Sequence, residues 1–172
     1  MTAPRPCSIA DTLGVIGEKY SLLVLREIFF GVRRFDAMTR NIGAPRDVLA
    51  ARLRHLVAAG VLEKVPYSER PPRFEYRPTA AGRELRPVLL MLMDWGDRHL
   101  ADPEGPSVIV RHRAEPDEPS CDEPVRVVIE CAAGHAPLHA RAIQRTPGPA
   151  ARLTNPVYRP YHPGSRAATT GG

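Results

Sequence analysis

The order of local patterns between Phe35 and Tyr76 restricts this chain more than any other feature. FDAMTRNI (35–42) reads as a short amphipathic helix, GAP (43–45) as a turn, and RDVLAARLRHLVAAG (46–60) as a second helix. Two extended runs follow, flanking a basic tip, Ser68-Glu69-Arg70-Pro71-Pro72-Arg73, that two prolines stiffen. Helix, turn, helix and hairpin in that order place one helix and one β-wing where a nucleic-acid duplex can be gripped. The expected fold is mainly α with a β-wing (α+β): a winged helix-turn-helix with a small β-rich C-terminal extension.

Charge distribution points the same way. The formal net charge is +5, and all basic residues except Lys19 and Lys64 are Arg. A GC-rich genome accounts for most of the preference for Arg, but not for its placement. Arg33, Arg34, Arg40, Arg46, Arg52 and Arg54 fall in one short stretch that holds only two acids, Asp36 and Asp47. Basic charge focused on a motif is the footprint of phosphate binding. No apolar run approaches the length that spans a bilayer, and MTAPRPCS lacks a signal-peptide pattern, so a cytoplasmic protein with no membrane partner is expected. Three cysteines without a framework pattern fit a reducing compartment.

Outside the motif, Ser8 caps a helix with Ile9, Leu13 and Ile16 on one stripe, stopping near Gly17. Ser21 to Phe30 is apolar nearly all round and is expected to be the buried central helix, ended by Gly31. Thr79 caps a long helix reaching Leu100, with Leu85, Val88, Leu92, Trp95 and His99 on one face, and Pro87 predicts a kink or break within it. That apolar face exceeds what a small winged domain needs and calls for a partner surface. Dimerisation is favoured over folding back onto the tail, because duplex readers commonly pair to match two half-sites.

Beyond the helix, ADPEGP (101–106) reads as a stop and linker. SVIVRH (107–112) and PVRVVIEC (124–131) read as a β-hairpin joined by a long acidic loop, and residues from Thr146 hold too few apolar anchors to fold alone. This divides the chain into a DNA-binding and dimerisation domain (1–102), a β-rich extension (103–145) and a Pro/Gly-rich flexible tail (146–172).

On a helix with Leu49, Leu53 and Leu56 turned inward, Asp47, Ala51, Arg54 and His55 lie on the opposite face, with Arg46 and Ala50 near the leading end. Arg46, Asp47 and Ala50 are the candidates for base edges, with Arg suited to guanine and Ala to a thymine methyl. Asp47 in the first helical turn also complements the dipole, the favoured reading over a contact to cytosine. Arg54 can reach bases or phosphate; Arg52 lies toward the flank, where a phosphate contact or an intraprotein ion pair is expected. Arg70 and Arg73 on the wing tip, and Arg33 and Arg34 ahead of the first motif helix, are the phosphate candidates.

GVRRFD (31–36), VLAARLRHLVAAGVLEK (48–64), Tyr67 with PPRFEYRPTAAG (71–82), and LRPVLLMLMDWG (85–96) resemble the HxlR family of bacterial winged helix-turn-helix regulators. CSIADTLGVIGEKYSLLVLRE (7–27) fits as well, with Tyr20 where the family usually has Trp. The resemblance implies a homodimeric transcription factor that binds double-stranded operator DNA, with the first and last helices forming the dimer interface. That assigns Ile9, Leu13, Leu85, Leu89, Leu92, Trp95 and His99 to the interface. It also implies a role for Cys7 in sensing oxidants or electrophiles, consistent with a thiolate favoured by a helix N-terminus and nearby Arg5; the alternative is a half-buried structural thiol.

The resemblance extends to some longer relatives whose extension has cysteine pairs that look like a small zinc-ribbon module, and here Cys131-Ala132-Ala133-Gly134-His135 stands where a C-x-x-C-G is expected. Cys121, Cys131, His135 and His139, with His112 as a spare, are the ligands a zinc site would draw on. The spacing is not the paired-knuckle pattern, so a metal-free remnant is favoured and no cofactor is expected. An enzyme using Cys131 with His135 or His139 lacks any sign of a third orienting group. A winged module without DNA contact conflicts with the concentration of Arg. A small-molecule effector pocket between subunits would draw on Trp95, Met91 and Phe29.

Overall fold

The computed structural model describes residues 7–100, 102–114, 121–138 and 142–143. Six helices and two strands follow one another as α1 (Ser8–Ile16), α2 (Ser21–Phe29), α3 (Phe35–Ile42), α4 (Arg46–Ala58), β1 (Leu62–Glu69), β2 (Pro72–Pro78), α5 (Ala80–Arg83) and α6 (Arg86–His99). Two compact units result: Ile9–Val127, which contains the winged helix-turn-helix, and a second from Met1–Ser8 and Val128–Gly172.

The core of the first unit follows from apolar periodicity. Leu49, Leu53 and Leu56 recur at helical spacing along α4 and are fully buried, against Val24, Leu25 and Ile28 of α2, Met38 of α3 and Leu62 of β1. Each such side chain contributes roughly 1.5–3 kcal/mol through burial. α2 is the central helix, packed against α3, α4, α6 and β2. Glu27, 4% exposed, lies within it.

α4 passes into the wing through a glycine cap. Gly60 adopts φ +71, the left-handed conformation that costs a glycine little. Its N–H donates to the Val57 carbonyl and that of Val61 to Leu56, both at 3.0 Å, which satisfies the last carbonyls of the helix. β1 then pairs antiparallel with β2 from Leu62↔Pro78 to Glu69↔Pro72, with a bulge between Pro66 and Ser68 that makes Tyr67 the extra residue. The Tyr76 N–H donates to the Arg33 carbonyl at 2.9 Å and fastens β2 to the start of α3.

Thr79 caps α5 by accepting from the Gly82 N–H at 3.1 Å, and its hydroxyl donates to the Gly60 carbonyl at 2.6 Å. Gly82 is required here because a β-carbon would collide with the Val61 carbonyl. The expected break near Pro87 falls at Glu84–Leu85, and Pro87 sits in the first turn of α6, where its missing N–H is tolerated.

The C-terminal hairpin differs from expectation. Its two runs meet antiparallel at one bridge, Arg111↔Pro124, beside bonds from His112 N–H to Glu123 carbonyl (2.9 Å) and Val125 N–H to Val110 carbonyl (2.8 Å). Among the described residues no further strand forms, and Pro124 at the pairing position has no N–H to donate. In the second unit, Cys131 to His135 forms a turn closed by the Cys131 N–H on the His135 carbonyl at 3.1 Å. The acidic loop 115–120 and the tail 146–172 lie outside the described residues.

Candidate nucleic-acid interface

Burial of Leu49, Leu53 and Leu56 leaves Arg46, Asp47, Arg54 and His55 exposed, with Ala50 half-buried beside them. Arg46 opens α4, and its guanidinium donates to the Asp36 carboxylate at 2.9 Å while lying 4.8 Å from the Phe35 ring centroid. The two helices of the motif thereby hold the fork at the leading end of α4. The pair is exposed on both sides, so it contributes at most about 1 kcal/mol and yields readily to a better acceptor. Arg54 lies close enough to Tyr76 that its charge partly offsets the upward push that burial gives the Tyr76 phenol.

The wing and the start of α3 face one another across a cleft of about 610 Å³ whose walls carry Arg34, Arg40 and Arg73. Arg34 stacks over the Tyr67 ring at 4.5 Å, so the bulge residue holds one of these cations in place. Arg33 lies 4.0 Å from Glu75, a carboxylate that Arg77 engages at 2.6 Å. Arg70 and Arg73 stand exposed at the tip, where the Ser68 hydroxyl donates to the Pro71 carbonyl at 3.1 Å. Arg40 had only its place in the Arg-rich stretch as a signal, and Tyr67 entered only through the family resemblance, with no contact role until the bulge is known.

Arg52 departs from the other candidates. Its guanidinium pairs with Glu18 at 3.0 Å and is only 24% exposed, so it ties α4 to the α1–α2 junction and does not join the reading face. The physical reason is its position on the flank of α4, next to a junction that supplies an acid.

On the far side of α2, Ile9 (72% exposed) and Leu13 on α1, and Leu92, Trp95 and His99 on α6, stand open. Leu85 and Leu89 do not: both pack into the chain's own core, because the start of α6 lies against α2. Cys7 is half-buried directly before α1. Of the residues expected at a pocket between subunits, Met91 and Trp95 are exposed, and Phe29 borders a different cavity, formed within one chain.

In the second unit the Cys131 sulfur lies 3.1 Å from His135 Nδ1. Backbone N–H groups, first that of His135 and then that of Ala133, hold the Cys131 thiol below its ordinary range. Among the described residues no third His, Cys, Asp or Glu joins the pair to form a metal site; Cys121 is exposed elsewhere, and His139 lies outside the described residues. Among the described residues no helix is long and apolar enough to cross a membrane.

A helix-turn-helix with its second helix exposed at the leading end, followed by an Arg-tipped hairpin, defines a winged-helix DNA-binding regulator. The family model described as HxlR-like helix-turn-helix matches residues 15–104, and the chain belongs to that family. Rv3095 of Mycobacterium tuberculosis, named an HTH-type transcriptional regulator, is 44% identical over 142 residues, spanning 83% of this chain and 86% of its own. The crystal structure of PA1607, assigned as a transcription factor, superposes with a TM-score of 0.68 at 34% identity over 81% of this chain and 94% of that one. The redox regulator HypR in its oxidised form gives 0.51 at 30% identity, over 56% of this chain and all (100%) of that one. The protein is a transcriptional regulator.

Proposed function

We propose that the chain binds operator DNA as a homodimer, each copy reading one half-site. The observation that carries this is the leading end of α4: three leucines anchor the helix from beneath while Arg46, Asp47 and Ala50 are left at the end that enters a major groove. Arg46 exchanges Asp36 for a guanine edge, and Arg54 and His55 follow a little over two turns along. Arg33 and Arg34 clamp phosphates beside α3, while Arg70 and Arg73 take the backbone or minor groove at the wing. The exposed apolar residues of α1 and α6 support pairing of two chains through those helices. The division into a reading and pairing domain (1–102), an extension (103–145) and a tail (146–172), and a cytoplasmic location, belong to the same proposal.

Fluorescence titration of DNA from the gene's own upstream region tests the reading. Arg46→Ala is expected to cost about 1–3 kcal/mol and relax specificity, whereas Arg70→Ala lowers the salt slope by about 1 without changing base preference. Weak binding, indifferent to sequence and unchanged by Arg46→Ala, sinks it and leaves a winged interaction module.

A thiol signal through Cys7 is a second reading. Cys7 directly precedes α1, and a redox regulator is among the proteins this chain resembles in fold. Diamide is expected to change the operator affinity of the wild type and not of Cys7→Ser; identical responses refute the idea.

A further inference from the structure

α2 has two apolar sides. Val24, Leu25 and Ile28 enter the core; Leu23 and Phe30, the residue after the helix, are exposed, and Phe29 is half-buried between the two. With Leu90 and Met93 of α6 and residues 108–110 they line a cavity of about 500 Å³. That volume lies within the range of small-molecule sites. Among the described residues its only charged lining residues are Arg26 and Arg86. Arg86 opens α6, and no carboxylate among the described residues pairs with it. An apolar chamber with an unmatched cation at its rim is complementary to an amphipathic anion.

Arg26 connects the chamber to the DNA-reading motif. Its Nε and an Nη donate to Glu27 Oε1 at 3.1 and 2.7 Å, and the other Glu27 oxygen accepts from Asn41 Nδ2 at 2.7 Å. Glu27 is buried, and Asn41 lies in the last turn of α3. The Arg26–Glu27–Asn41 line borders a second cavity that shares Arg26, Phe30 and Met93 with the first. An anion that draws the Arg26 guanidinium away would leave a buried carboxylate held by a neutral amide alone, a costly arrangement.

We infer that this cavity is an effector site for a small apolar carboxylate, sensed by Arg86 and Arg26 and relayed through Glu27 and Asn41 to α3. The site stands on its own geometry, and only its effect on the operator rests on the proposed DNA reading. Bound carboxylate withdraws Arg26 from Glu27, Glu27 and Asn41 rearrange, and the end of α3 shifts beneath α4. The apolar tail replaces water against Leu23, Phe29 and Met93.

Titration calorimetry of the full chain with octanoate and octan-1-ol tests the site. Octanoate is expected to bind about tenfold more tightly than the alcohol, and Arg86→Gln, an exposed change that spares the core, to remove that preference. Octanoate is also expected to weaken operator binding at least about fivefold in the wild type. Asn41→Ala keeps octanoate binding and loses the operator response. Equal affinity for acid and alcohol, or a preference unchanged by Arg86→Gln, overturns the site. Operator binding that is intact yet indifferent to bound octanoate overturns the relay and leaves DNA reading standing. Operator binding absent from the outset overturns the DNA reading, while calorimetry still decides the site.

Discussion

The two sides of the first unit are finished to different degrees. On the reading side, Arg33, Arg34 and Arg46 each have a partner within the chain: Glu75, the Tyr67 ring and Asp36. On the other side, Ile9, Leu13, Leu92 and Trp95 have large exposed apolar surfaces. Several cations of the polar face are therefore held by groups of the same chain. Among the described residues the apolar face has no counterpart, and water alone is a poor substitute for one. The proposed reading of DNA draws on the first side and the proposed pairing on the second.

Two substitutions should separate the sides most sharply. Leu53→Ala opens a cavity beneath α4 and is expected to cost about 2–5 kcal/mol in denaturant unfolding. Leu92→Glu should leave the stability of a single chain within roughly 0.5 kcal/mol while converting dimers to monomers by sedimentation. A fall in single-chain stability as large as that of Leu53→Ala would mean that α6 is an ordinary core helix. A smaller effect is expected at the hinge between the sides: Thr79→Ala removes the cap on α5 and its bond to Gly60, at a cost of about 1 kcal/mol. Unchanged stability would show that Thr79 is dispensable there.

The smallest effect lies outside both faces. Backbone N–H groups around Cys131 favour its thiolate, so the folded-state pKa lies below the unfolded one. Alkylation of Cys131 by iodoacetamide should therefore titrate at lower pH in the folded chain than in urea, with reactivity lost as pH falls through the folded value. Coincident titrations would rule out that local field. By linkage the same shift favours the folded chain at pH above the unfolded thiol's pKa, and that small contribution is lost as pH falls through the folded value.

What could be seen from the amino acids was what repeats locally. The inward leucines of α4, the hairpin and the interruption near Pro87 follow from spacing and residue type within a few positions, whereas the second motif helix, read as 46–60, ends at Ala58 ahead of its glycine. Glu27 was hidden because its partner Asn41 is 14 residues away and a lone acid in LLVLREIFF looks like a surface residue. The fate of Arg52 was open for the same reason, since Glu18 comes near only after α1 and α2 have folded. In the extension, alternating apolar residues suggested a ladder, but Pro124 weakens it where the runs meet. Leu85 and Leu89 show the limit of a helical stripe: periodicity identifies the apolar residues of α6, but not which pack into the core and which stay exposed.

The clamp formed by Gly60, Val61, Thr79 and Gly82 has a mechanical consequence. The Thr79 N–H and hydroxyl both reach the Val61 carbonyl, at 3.1 and 3.2 Å, and Gly82 rests against that same carbonyl with no room for a side chain. This one carbonyl at the root of the wing is the point on which α5 sits, and the break at Glu84–Leu85 separates that anchored turn from α6. A side chain at position 82 would therefore disturb the end of the wing and the start of α5 together.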